Sequence, residues 1–270
     1  MNGLSGRPLL SFALFNKAQR RDAHAHMSSS STKPNYGIDA PGVVRNLFVA
    51  GAICMLLFRF LPNFTVGGVT FLLGLMFRNT GIGCFVGGTL MLVYSKFAKF
   101  RHRDRMLNLV NWRGDERVLD VGTGAGLLLI GAAKRLTTGR ATGIDLWSQI
   151  DLSANEKQRT LRNAELEGVK DRVEVLDGDA TALTFPDSTF DVIVSLACIH
   201  NIPTREGRDK ASQQIARVLK PGGTAIISDF KNTGRYKSEF QEAGLKLSSE
   251  GGYSWTTFPP MRIIKATKNV

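Results

Sequence analysis

The chain has 270 residues, 43% apolar and 21% charged, which excludes a disordered polypeptide and allows one large domain, or one domain with an appendage. Its three cysteines, Cys54, Cys84 and Cys198, form no paired spacing, so a disulfide framework and a thiolate zinc site are both excluded and no metal is expected. The net charge of +12 would suggest nucleic acid, but residues 1–113 hold 14 Lys+Arg against 3 Asp+Glu and residues 114–270 hold 21 against 20; a nucleic-acid enzyme carries its basic footprint on the folded working domain, so no such partner is expected.

The first 31 residues combine basic groups and serines with a single acid, Asp22. A mitochondrial presequence has that composition, and so does any short basic tail. Residues 35–42, Asn-Tyr-Gly-Ile-Asp-Ala-Pro-Gly, are rich in turn formers and read equally as a lid or a linker. Three uncharged stretches follow, 46–58, 60–77 and 79–95, broken only by Arg59 and Arg78. A membrane-spanning helix needs about 20 apolar residues. The first stretch reaches that length as Val43–Leu61, with Arg59 extended to the interface; the last reaches it as Thr80–Phe97. Gly81, Gly83, Gly87 and Gly88 are small residues at spacings that let two helices approach closely in lipid. Pro62, Asn63, Gly67, Gly68 and Gly74 make the middle stretch a poor helix and mark it as a connection, so two spans are expected, with three as the alternative. Basic residues flank both ends, Lys33 and Arg45 before, Lys96, Lys99, Arg101, Arg103 and Arg105 after; the positive-inside rule places both ends, and the domain beyond, on the cytoplasmic side. A mitochondrial membrane is the second location considered. The expected organisation is a tail and linker at 1–42, a membrane anchor at 43–97, a basic juxtamembrane linker at 98–113, and a catalytic domain at 114–270.

From Glu116 the pattern changes. Val118–Val121 reads as a buried strand, Gly122-Thr123-Gly124-Ala125-Gly126 as a turn, and Leu127–Leu136 as a helix, the opening of a nucleotide-type βαβ unit. The dinucleotide spacing Gly-x-Gly-x-x-Gly is absent because position 127 is Leu, and so is the Walker lysine. Gly-x-Gly-x-Gly behind an acidic strand end suits S-adenosylmethionine, a nucleoside cofactor without pyrophosphate. Ala141–Asp145 is a second strand ending in an acid able to accept both ribose hydroxyls. Arg172–Leu176 reads as a third strand followed by Gly178-Asp179-Ala180, with an acid beside the expected adenine site; a fourth runs to Ser195; Lys220-Pro221-Gly222-Gly223 is a tight turn into a fifth, Thr224–Ser228.

The segments VLDVGTGAG, ATGIDLW, GDATALTFPDSTFDVIVS and RVLKPGG resemble the class I S-adenosylmethionine-dependent methyltransferases, in the branch with the ubiquinone/menaquinone C-methyltransferases and sterol methyltransferase relatives. The resemblance covers about 114–230. It implies an α/β, Rossmann-like, doubly wound, seven-stranded, mostly parallel sheet, here preceded by a transmembrane helical hairpin. It places Asp120, Gly122, Gly124 and Gly126 around the methionine moiety, Asp145 on the ribose, and Asp179 and Ala180 at the adenine. Thr123, Leu146 and Ser195 are counted in the same cofactor-binding set.

Methyl transfer is an in-line displacement, so the protein positions a nucleophile and supplies a base where the nucleophile starts protonated. Past the fourth strand, His200, the sole histidine of 114–270, is the candidate base, and Asn201 a candidate for orienting the acceptor or capping the next turn. Asp229 and Phe230 face the same crevice, and Gly251–Thr256, with Tyr253 and Trp255, form a later loop. The expected activity is a membrane-anchored methyltransferase acting on a lipophilic small molecule or lipid. A methyltransferase of a membrane protein and a non-catalytic scaffold are the alternatives, and the oligomeric state is open.

Overall fold

The computed structural model describes residues 33–270, so the basic tail read against a presequence lies outside the described residues. The apolar region forms two antiparallel helices, α1 (Pro41–Phe60) and α2 (Leu73–Val93). Between them β1 (Phe64–Val66) and β2 (Val69–Phe71) make a hairpin turned by Gly67 and Gly68, both at positive φ (58° and 78°). The middle stretch is thus part hairpin and part first turns of α2, which starts seven residues earlier than expected. Among the described residues two helices, not three, are long and apolar enough to cross a membrane. Their apolar windows are only 11% and 22% buried, unlike a helix hairpin inside a soluble core. The small-residue face is narrower than the sequence suggested. A Cβ at Gly81 would press on Met55 and one at Gly88 on Phe48, so these two glycines let α1 and α2 pack; Gly83 faces open space and Gly87 barely touches Leu47.

The basic segment at 98–113 is not a free linker. Helix α2 runs through a π turn at Tyr94–Ala98 directly into α3 (Lys99–Leu107). Met106 and Leu107 are buried in the core of the following domain and His102 against Ser228, while Lys99 is buried beneath residues 36–39, a packing that sequence charge alone conceals. His102 Nε2 lies 2.7 Å from Ser228 Oγ, and burial holds this imidazole down to about 4, uncharged.

Beyond it, β3 (Arg117–Val121), β4 (Arg140–Asp145), β5 (Val173–Asp177), β6 (Phe190–Leu196), β7 (Leu219–Asp229), β8 (Leu245–Ser254) and β9 (Met261–Lys268) form one sheet of order β5-β4-β3-β6-β7-β9-β8. The first five are parallel; β9 runs antiparallel to both β7 and β8. Helices α4 (Leu127–Ala133) and α5 (Lys157–Leu166) cover one face with α3, and α6 (Arg205–Val218) and α7 (Thr233–Glu242) the other. Strands covered on both faces read as unbroken apolar runs, as Val192–Val194 and Ala225–Ile227 do. The strand order reverses between β3 and β6, and the crevice beyond their carboxyl ends is where open α/β sheets bind ligands. The Lys220–Gly223 turn lies within β7 as a bulge: Phe190 pairs with Leu219 and Val192 already with Thr224.

Candidate active site

The β3 carboxyl end builds the floor of the crevice. Gly122 N and Thr123 N both donate to Ile144 O, clamping the turn onto β4 (2.9 and 3.0 Å). Gly122 has φ +75°, and a Cβ there would run into Cys198, which packs beneath the turn. Asp120 is buried and accepts from Thr123 Oγ1 (2.8 Å) and Leu129 N (2.9 Å), tying the turn to the start of α4. Burial pushes its carboxyl from 3.8 up to about 7, against the pull of these two hydrogen bonds. Folding therefore favours the protonated carboxyl: the stability this contributes is full below about pH 4 and is lost as pH rises toward 7. Thermal unfolding of the full chain in detergent tests this. The stability of Asp120→Asn relative to wild type is expected to improve between pH 4.5 and 8, and a pH-independent difference would refute it.

Asp145, at the end of β4, is fixed from three sides. Its Oδ2 accepts from Gly124 N (2.8 Å), and its Oδ1 from Trp147 N (2.7 Å) and Asn155 Nδ2 (3.1 Å). The carboxylate remains half-buried, with an edge on the crevice. Asp179 is exposed at the far end, its Oδ1 taking Thr181 N (2.8 Å), next to buried Ala180. Beyond β6 a 3₁₀ turn at Ile199–Asn201 carries the acceptor-side candidates. His200 Nδ1 lies 2.8 Å from Asp229 Oδ1, within ion-pair distance though off the line of a hydrogen bond, and its ring packs edge-on to Phe230 (4.4 Å). Asp229 is buried and held by Phe230 N (2.7 Å), with Tyr236 Oη and His200 N on its other oxygen (3.4 and 3.2 Å). Asn201 stands exposed at the rim.

These groups line one cavity of about 810 Å³, within the range of small-molecule sites. Two expected residues do not reach it. Ser195 is buried and donates to Val121 O (2.8 Å), since strand alternation turns it into the sheet while Leu196 faces the crevice. Gly126 lies behind the turn; at φ +85° it starts α4, and a Cβ would press on Ile130 and Thr160. The other expected positions, Asp120, Gly122, Thr123, Gly124, Asp145, Leu146, Asp179, Ala180, His200 and Asn201, all line it.

The remaining walls come from residues 35–40 and from the apolar helices. Residues 35–40 are a strap across the loop after β4: Ile38 N donates to Ser153 Oγ (2.9 Å), Ser153 N to Ile38 O (3.1 Å) and Ala40 N to Asp151 O (2.8 Å). Lys99 Nζ anchors its inner side, donating to Tyr36 O (2.8 Å) and Gly37 O (2.9 Å) and pairing with Asp39 (3.3 Å). Of the two readings of this segment the structure therefore supports the fold-back. Val43 of α1, Met91 of α2 and Tyr94 close another side, and Tyr94 Oη meets Met261 Sδ (3.8 Å). The sequence signal for this wall was a lysine among the basic flank and a tyrosine at the end of an apolar run.

The cavity suits S-adenosylmethionine. Asp145, Asp151 and Asp179 line it, a surface that favours a sulfonium and an ammonium group, and the Cys198 thiol among them is pushed up by burial and by neighbouring carboxylates. Asp145 offers a prefixed carboxylate to a diol, and the turn brings backbone close where no Cβ intervenes.

Residues 119–227 match the family model described as a methyltransferase domain. Among curated proteins the chain is similar to the 27-O-demethylrifamycin SV methyltransferase of Amycolatopsis mediterranei (33% identity, 49% of this chain, 45% of that protein). It is also similar to the ubiquinone/menaquinone biosynthesis C-methyltransferase UbiE of Dinoroseobacter shibae (31% identity, 59% and 57%) and to the sterol 24-C-methyltransferase ERG6B of Gibberella zeae (29% identity, 56% and 38%). The alignments thus span between 38% and 57% of these relatives' lengths. Among solved structures, the YcgJ protein of a Bacillus shares the fold, with TM-score 0.52 at 16% identity over 63% of this chain and 99% of that one. Residues 119–227 thus correspond to a methyltransferase domain.

Proposed function

We propose that the protein is a membrane-anchored S-adenosylmethionine-dependent methyltransferase acting on a lipophilic small molecule or lipid at the cytoplasmic membrane face. One observation carries the reading: the cavity that holds the glycine turn is walled by the apolar helices themselves, at Val43, Met91 and Tyr94. A substrate concentrated in the bilayer meets such a cavity with its approach already paid in translational freedom. The quinone and sterol methyltransferases among the relatives support a lipophilic acceptor.

Bound S-adenosylmethionine would supply the electrophilic methyl group. Asp145 and the glycine turn would hold the nucleoside, and Asp179 and Ala180 its base. His200 would take the proton of an acceptor hydroxyl or acidic carbon, with Asp229 fixing the ring and stabilising the imidazolium that forms. The apolar walls exclude water from that transfer.

Incubation of membranes holding the full chain with methyl-labelled cofactor tests the assignment. Label is expected in the organic extract; label in the protein pellet would instead indicate a protein acceptor, and none in either would indicate a scaffold. A second test concerns topology. An impermeant thiol reagent on sealed vesicles is expected to reach Gly68→Cys and Arg101→Cys from opposite sides, because the former lies in the turn between the two helices. Reaction of both from one side would overturn the two-span arrangement.

A further inference from the structure

Beyond residue 97 the described residues expose few large hydrophobic side chains: Leu146 (71%), Ile150 (84%), Tyr253 (53%), Trp255 (80%) and the terminal Val270. The first four are not scattered. They sit on two segments, the loop after β4 and the end of β8 with the turn into β9 (together the second loop), and each is fastened to the base of the helical hairpin. The loop carrying Leu146 and Ile150 is tied to the strap through Ala40 N to Asp151 O and the Asp39–Leu152 bridge, immediately before α1 begins at Pro41. The loop carrying Tyr253 and Trp255 is gripped from α3 by Arg105, which donates to Gly251 O and Tyr253 O (3.4 Å each). It ends at Met261, against Tyr94 where α2 leaves its apolar run.

Isolated exposed hydrophobics are ordinary, whereas a cluster continuous with an apolar surface marks a contact. The chemistry here is specific. Tyr253 and Trp255 stack with ring centroids 6.0 Å apart, and the Arg262 guanidinium lies 5.2 Å over the tyrosine ring. Aromatic rings with cations beside them are the composition of the membrane–water interface. Lys96, Arg101 and Arg105 are exposed along the same junction, and Phe97 beside them is 65% exposed. Leu146 lines the cavity, as do Phe258 and Pro259 at the end of the second loop, so both loops border its mouth.

We propose that the Leu146–Ile150 and Tyr253–Trp255 loops form a rim that lies in the headgroup layer of the bilayer and seats the cavity mouth on the membrane surface. This rests on the anchored reading above. It adds that the domain has a fixed face toward the lipid, with the acceptor passing from bilayer to cavity between the two loops.

The test uses the full chain in phosphatidylcholine–phosphatidylglycerol vesicles whose lipids are brominated near the head of the acyl chain, with tryptophan emission as readout. Trp255 is one of three tryptophans. A quenchable component is expected in wild type and is expected to vanish in Trp255→Phe. Ile150→Trp, placed on the Trp255→Phe background, is expected to restore it. Ile53→Trp in α1 on that same background reports the anchor, and S-adenosylhomocysteine binding confirms that each variant is folded. If Ile53→Trp is quenched while wild type shows no component lost in Trp255→Phe and Ile150→Trp restores none, the rim is refuted and the anchor stands. If Ile53→Trp is not quenched either, the anchored reading fails and the rim falls with it.

Discussion

Replacing His200 with alanine is expected to lower the rate of methyl transfer by about 10²–10⁴ at saturating acceptor while S-adenosylmethionine binds nearly as before. The two halves of that expectation rest on separate residues. His200 stands past β6 on a 3₁₀ turn, whereas the residues proposed to hold the cofactor lie beyond the ends of β3, β4 and β5. Asp229, buried and 2.8 Å from Nδ1, would leave the other ring nitrogen to the acceptor on the proposed reading. Asp229→Asn is expected to reduce the rate in the same direction by removing the charge that stabilises the imidazolium. Single-turnover measurement with labelled cofactor separates the outcomes. A full-rate His200→Ala enzyme would remove His200 as a base and indicate an acceptor that attacks without losing a proton first, such as an alkene. The variant would then show its loss in KM.

The second large effect is expected at Asp145. Its replacement by alanine should weaken S-adenosylmethionine binding by about 1.5–3 kcal/mol, since two hydroxyls lose a charged acceptor. The same carboxylate also holds Gly124 N, Trp147 N and Asn155, so the substitution loosens the turn and the following loop as well. Calorimetry on the full chain measures the affinity, and the unfolding temperature without cofactor separates the loop effect from the lost contact. Unchanged affinity, or preferential binding of NAD, would overturn the cofactor assignment.

Much of this site was legible because its signals are local. A buried strand, a glycine turn needing positive φ and a helix follow one another within Val118–Ala133, an acid ends β4 at Asp145, and another follows β5 at Asp179. Where an expected residue does not line the cavity, the deciding fact is an orientation. Ser195 belongs to the right strand but the wrong face, and Gly126 serves helix packing behind the turn. What was illegible depends on residues far apart in sequence. Lys99 reads as one more cation beside a membrane, and only the fold brings Tyr36 O and Gly37 O, some sixty residues away, around its ammonium. The apolar face of α3 was hidden for a related reason: its arginines dominate the composition while Met106 and Leu107 decide the packing.

The unbroken path from α2 through the π turn into α3 bears on how such an enzyme can be taken apart. An anchor joined by a slack tether is a module that can be exchanged for another or cut away without touching the chemistry. Here the cut has no neutral place. Severing at residue 113 removes Met106, Leu107 and Val110 from the core that backs α4, and with them Tyr94, Lys99 and the strap from the cavity. A water-soluble fragment would be a different enzyme with an open side, and a chimera bearing a foreign hairpin would inherit that hairpin's preferences in place of its own. The helices apolar enough to cross a membrane also wall the cavity, so on the proposed reading address and selectivity are inherited together.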